Sequence, residues 1–139
     1  MLIAVYGTLR KGDRLHRGYL KSPPLLATER VSGFEMYHYS GYPYVAEGDG
    51  DITVEVYDIP KDVYMGVYGM ERSAGYEVAT INTSVGEADL FYVTAQAHER
   101  EQGRLNYKGE ADAPPRILSG DWFEWLRKFR PGRIEDGSN

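Results

Sequence analysis

The sequence predicts one mixed α+β domain built on a small closed sheet. Three observations carry that prediction. Ile52, Val54 and Val56 alternate with Thr53, Glu55 and Tyr57, the period of two that marks a strand with one buried face. Val63, Val67 and Met70 fall at spacings of four and three and so share one helical face. Strands, a helix, a hairpin and a terminal helix follow one another with no repeat, linker or second domain, and 139 residues suffice for a single hydrophobic core.

Leu2 to Tyr6 is a short apolar run, a buried strand that stops at Gly7 and hands the chain to a tight loop. Asp13 to Leu20 has room for a turn or two of helix, with Leu15, Tyr19 and Leu20 toward the sheet, and Ser22-Pro23-Pro24 ends it. Leu25 to Val31 reads as a strand, Gly33 as punctuation, and Phe34 to Tyr39 as a second strand. Ser40 to Pro43 has the composition of a turn, Tyr44 to Ala46 is extended, and Gly48-Asp49-Gly50-Asp51 looks like a hairpin connection into the alternating strand. Pro60 closes that strand, and Asp62 is placed to cap a helix running to about Met70, with Glu71 at its exit. Gly66 and Gly69 weaken it by about 1 kcal/mol each relative to alanine.

Arg72 to Gly75 is a loop, and Tyr76 to Thr83 and Leu90 to Ala95 form a hairpin about Val85-Gly86-Glu87-Ala88. His98 to Pro115 is polar and reads as an excursion with little regular structure. Asp121, with Glu124 three residues on, fits a helix N-terminal box, and Trp122, Trp125 and Phe129 give that helix an apolar stripe. Pro131-Gly132 stops it. The domain therefore spans 1–130, with 131–139 a frayed tail.

The absence of cysteine removes disulfides, thiolate nucleophiles and cysteine metal sites together. Sixteen basic against twenty-one acidic side chains give a net charge of -5, which opposes sequence-independent phosphate binding and argues against nucleic acid. The basic group Arg127, Lys128, Arg130 and Arg133 is read as a solvated helix end. The opening apolar run is too short for a signal peptide and lacks a basic lead, and no stretch approaches the ~20 apolar residues of a membrane span. A soluble, cytoplasmic protein is the expectation, with its oligomeric state left open. Twelve tyrosines are many for this length; the pairs 37/39 and 42/44 each place two rings on one strand face. His16, His38 and His98 show no metal-ligand spacing.

The first twelve residues organise the rest. Gly7 lets a ligand approach the main chain; if the amides of Gly7, Thr8 and Leu9 converge, they form a concave donor cluster suited to a carboxylate. VYGTLRKG with His16 and Leu20, then Tyr42-Pro43, Val54-Glu55-Val56-Tyr57, Tyr68-Gly69-Met70-Glu71, Tyr76 and Ser119-Gly120-Asp121-Trp122 resemble, in order, the landmarks of the γ-glutamylcyclotransferase-like (AIG2-like) family. The resemblance covers most of the chain. It implies a six-stranded β-barrel flanked by helices, with the pocket at the barrel end where the YGTL loop lies.

The activity it implies is closure of 5-oxoproline from a small γ-glutamyl amine or γ-glutamyl amino acid by attack of the α-amine on the side-chain carbonyl, without metal or cofactor. Glu71 matches the catalytic glutamate, moving a proton from the attacking to the departing nitrogen. The Gly7-Thr8-Leu9 amides would hold the substrate's α-carboxylate, and Tyr6, Tyr44 or Tyr76 would offer a hydroxyl to the oxyanion, Tyr76 matching best. Arg10 is near enough to the loop to help with charge. Two departures from many relatives, Arg72 in place of glycine and Val78 in place of arginine, bear on the surface that meets the leaving group. A non-catalytic module holding a small amino-acid-like ligand in the same pocket is the alternative, and an interaction surface built on the tyrosine cluster is a third reading.

Overall fold

Leu2–Val5 forms β1, the strand with neighbours of both orientations, in a six-stranded sheet of order β4-β5-β1-β3-β2-β6. The computed structural model describes residues 1–39, 42–100 and 116–134. β2 is Ala27–Tyr39, β3 Tyr42–Asp58, β4 Glu77–Asn82, β5 Glu87–Tyr92 and β6 Arg116–Ile117. β1 runs antiparallel to β3, with Ala4 opposite Val56, and parallel to β5, with Ile3 opposite Asp89. A strand enclosed this way is covered on both faces, which is why it reads as an unbroken apolar run. Ala4 faces a core with Val54, Val56, Leu90 and Trp122, while Ile3 and Val5 face a second core with Leu20, Tyr57, Val67 and Phe91.

Two predicted boundaries are absent. Gly33 does not separate two strands: β2 runs through it, with a register shift between Ser32 and Phe34 and a left-handed Gly33 φ of 96°. Nor is Gly48–Asp51 a hairpin, because β3 is continuous. Its glycines serve close packing, since a Cβ at Gly48 would lie 2.5 Å from the Glu35 side chain and one at Gly50 2.8 Å from the Phe34 carbonyl oxygen. Glycine inside a strand marks a bulge or close approach as readily as a turn. The bent ribbon lets the sheet curl. β3 pairs with β1 at its far end, while near its start Ala46 bridges Val93 and Val93 N donates to Val45 O at 2.8 Å. The result is a half-barrel.

Helix α1, Lys61–Ser73, packs on the outer face beside a π-helical turn, His16–Leu20. Its N-cap position is Pro60, with no side-chain cap; Asp62 instead sits in the first turn, where a carboxylate favours the helix dipole. The helix outruns its predicted end, so Glu71 lies in its last turn. Helix α2, Trp122–Phe129, is capped as expected: Asp121 Oδ1 accepts from Phe123 N at 3.0 Å and Glu124 N at 3.2 Å. Of the predicted stripe Trp122 is buried and Trp125 packs partly buried against the core with Trp122, while Phe129 is 53% exposed; Phe123 and Leu126 complete the buried face of the helix. Arg127 and Lys128 lie in its last turn.

The predicted frayed tail begins too early. After Gly132, with φ 88°, Ile134 returns to the inner core, and Arg133 reaches Asp13 at 3.6 Å. Residues 135–139 lie outside the described residues, as does 101–115 of the predicted polar excursion; 95–100 is helical. β6 was not anticipated, because two residues carry no periodicity. Among the described residues no helix is long and apolar enough to cross a membrane.

Candidate active site

After β1 the chain turns at Gly7, and the turn is held from below. Arg10 is buried; its Nε donates to Glu55 Oε2 at 2.8 Å, its NH1 donates to Asp121 Oδ1 at 2.9 Å, and its guanidinium lies 4.0 Å from the Phe123 ring centroid. Glu55 Oε1 accepts from Lys11 N at 2.8 Å and from Tyr57 OH at 2.6 Å. Burial alone would raise the Asp121 carboxyl, but the charge and hydrogen bond of Arg10, with the two helix amides, outweigh it and hold the group below its ordinary range. Asp13 Oδ2 accepts from Trp122 Nε1 at 3.0 Å, and the His16 ring bonds Leu9 O at 2.8 Å. Two landmarks of the sequence, at 54–57 and 119–122, therefore act as supports of the turn. Arg10 belongs to that frame and not to the cavity.

The turn's own hydrogen bonds run from Arg10 N to Gly7 O and from Leu15 N to Thr8 O. They engage two carbonyls and leave the amides of Gly7, Thr8 and Leu9 out. Gly7 is not among the positive-φ glycines, so backbone freedom is not its reason; a Cβ there would sit 2.5 Å from Pro43 Cγ. Gly7→Ala is accordingly expected to cost about 1–3 kcal/mol through overpacking, read as a lowered urea midpoint, and Pro43→Ala in the same chain should restore part of the loss.

Above the turn lies a cavity of about 310 Å³, at the lower end of the usual small-ligand range. Tyr6, Gly7, Thr8 and Leu9 line it from the turn, Glu71 from α1, and Tyr76 from the lead into β4. Leu15, Pro43, Met70 and Phe91 complete an apolar wall, and Tyr42 stands at the mouth, 50% exposed. Six of the seven predicted site residues thus meet in one place. The seventh, Tyr44, does not line the cavity: it stacks on Tyr37 at 5.5 Å and its hydroxyl bonds His98 Nδ1 at 2.8 Å. The hairpin contributes Tyr42 and Pro43 instead.

Burial pushes the Glu71 carboxyl up to about 7. Its place in the last turn of α1, at the negative end of the helix dipole, works in the same direction. Tyr76 is raised by burial and then by Glu71; Tyr6 is raised well above its ordinary value by burial, then by Tyr76 and Glu71, with a Val45 backbone hydrogen bond pulling the other way. At neutral pH the cavity therefore offers two protonated phenols and one carboxyl poised between its two states. Arg72 and Val78 do not line it: Arg72 is exposed and binds Glu77 and the Tyr76 carbonyl, and Val78 packs on the outer core. Both departures from the family pattern lie outside the cavity wall.

The curled sheet thus brings a glycine turn, a raised carboxyl and two phenols to one cavity. Residues 3–124 match the model of the gamma-glutamyl cyclotransferase, AIG2-like family, and the chain belongs to that family. It is 38% identical over 89 residues to a Pyrococcus horikoshii protein bearing the name "Putative gamma-glutamylcyclotransferase PH0828", a stretch covering 64% of this chain and 75% of that one. The crystal structure of PH0828 superposes with a TM-score of 0.72 at 32% identity, covering 92% of this chain and 94% of that chain. The solution structure of ytfP from Escherichia coli shares the fold, with a TM-score of 0.63 at 24% identity over 90% of this chain and 98% of that chain.

Proposed function

We propose that the protein releases 5-oxoproline from a small γ-glutamyl amine or γ-glutamyl amino acid. The single observation that carries this reading is the carboxyl of Glu71, raised to about 7, on the wall of the same cavity as the Gly7–Leu9 turn. The turn amides bind the α-carboxylate and so orient the α-amine. Glu71, ionised, takes a proton from the ammonium, and the freed nitrogen attacks the side-chain carbonyl carbon. Tyr76 and Tyr6 donate to the oxyanion of the tetrahedral intermediate. Glu71 then returns its proton to the other nitrogen and takes the second proton from the now cationic ring nitrogen. The oxyanion re-forms the carbonyl, the bond to the other nitrogen breaks, and the amine leaves, carrying off that second proton from Glu71 as an ammonium. Both reacting groups belong to one molecule, so holding it curled captures part of an effective molarity that reaches ~10⁵–10⁸ M in well-oriented systems.

Incubation with a panel of γ-glutamyl compounds is expected to yield 5-oxoproline and free amine in equal amounts. Binding without turnover across the panel would favour a non-catalytic pocket. Because the base form of Glu71 starts the reaction, kcat/KM should rise as pH climbs through about 7. A profile flat from pH 5 to 8 (roughly the span of that titration) would remove Glu71 from the proton transfer.

A further inference from the structure

The proposed reaction leaves open what departs, and the rim of the cavity bears on it. Arg14 is not on the cavity wall itself but adjoins two residues that are: its guanidinium carbon lies 4.3 Å from the centroid of the Tyr42 ring, and Leu15 is the next residue. Its backbone is fixed, since Arg14 N donates to Asp13 Oδ1 at 2.8 Å and Asp13 is itself held by Trp122. Its side chain is exposed.

Arg14 contrasts with Arg10 four residues earlier. Arg10 is engaged by two carboxylates, whereas among the described residues no carboxylate pairs with Arg14. A guanidinium over an aromatic face still has N–H donors to offer for a two-point contact with a carboxylate. Near the turn the other walls, Leu15, Pro43, Met70 and Phe91, offer no charge.

We infer that Arg14 is a specificity-determining residue that binds an acid group on the departing half of the substrate, so that γ-glutamyl amino acids are preferred over γ-glutamyl amines lacking a carboxylate. The inference rests on the cyclisation reading above. The contact lies away from the reacting atoms and is the same before and after the bond breaks, so it acts mainly through KM.

The test compares γ-glutamylalanine with γ-glutamylethylamide, which differ by that one carboxylate, in the wild-type protein and in Arg14→Gln and Arg14→Lys. Wild type is expected to favour γ-glutamylalanine in kcat/KM by about tenfold or more, as for a hydrogen bond to a charged group. Arg14→Gln should bring the ratio toward one, chiefly by raising KM for the acid; Arg14→Lys should keep part of the preference, and added salt should shrink it in the wild type. A wild-type ratio near one, or a ratio that survives in Arg14→Gln, overturns the inference and leaves the cyclisation reading standing. Turnover of neither compound, with none elsewhere in the panel, overturns both.

Discussion

Glu71→Gln is expected to lower 5-oxoproline release by about 10²- to 10⁴-fold, the usual worth of a positioned general acid–base group. Glutamine keeps the size of the side chain and removes only its ability to exchange a proton. The substrate's carboxylate would still meet the turn amides, so binding should survive where turnover does not. The same substitution has a second, opposite consequence. Burial raises the Glu71 carboxyl from 4.5 to about 7, so between those values the folded chain holds a proton that the unfolded chain has released. The stability associated with this group is fully present below pH 4.5 and is lost as pH rises through about 7. Glutamine escapes that loss. Glu71→Gln should therefore match the wild type at pH 4 and exceed it at pH 8 by on the order of 1–3 kcal/mol, allowing for partial solvent screening of a half-buried group. Urea unfolding at the two pH values checks this, and a variant less stable at pH 8 would mean that the site does not strain its carboxyl.

The second large effect is expected at Glu55. Its carboxylate accepts from Arg10 Nε, Lys11 N and Tyr57 OH, and Arg10 is 6% exposed. Removing one member of a buried pair leaves the other charge uncompensated, which typically costs about 3–5 kcal/mol. Asp121 still pairs with Arg10, so Glu55→Gln should fall near the lower end, about 3 kcal/mol. The cost should be partly relieved in Glu55→Gln with Arg10→Met, because the stranded cation is then gone. A double-mutant cycle on urea unfolding measures the coupling; independent, additive effects would show that the two side chains do not hold the turn together.

Much of the site could be read from local spelling. The strand ending at Gly7 and the helix leading to Glu71 each follow from a pattern within about a dozen residues, and periodicity captures such segments well. The frame beneath the turn could not be read that way. Thr53, Glu55 and Tyr57 alternate with apolar residues and so look like a solvent face, yet they are 7%, 4% and 0% exposed. What buries them comes from other parts of the chain: Arg10 over Glu55, the His16 ring with Leu20 and Val67 around Tyr57, and the Arg30 guanidinium and Gly120 carbonyl beside Thr53. Tyr44 falls outside the cavity for a related reason. The tyrosine-rich hairpin offers several rings of the same chemistry, and only the curl of β3 decides that Tyr42 and Pro43 turn to the cavity while Tyr44 turns to His98. Gly33, Gly48 and Gly50 read as breaks between strands, but in a sheet that must bend they mark a bulge and close approaches.

A crystal structure of the protein with 5-oxoproline bound bears most directly on the cavity's proposed role. The ring carboxylate is expected about 2.7–3.2 Å from the amides of the Gly7–Leu9 turn, with the Glu71 carboxyl within the same reach of the ring nitrogen. A product molecule seated elsewhere, or one in this cavity with its nitrogen turned away from Glu71, would contradict it.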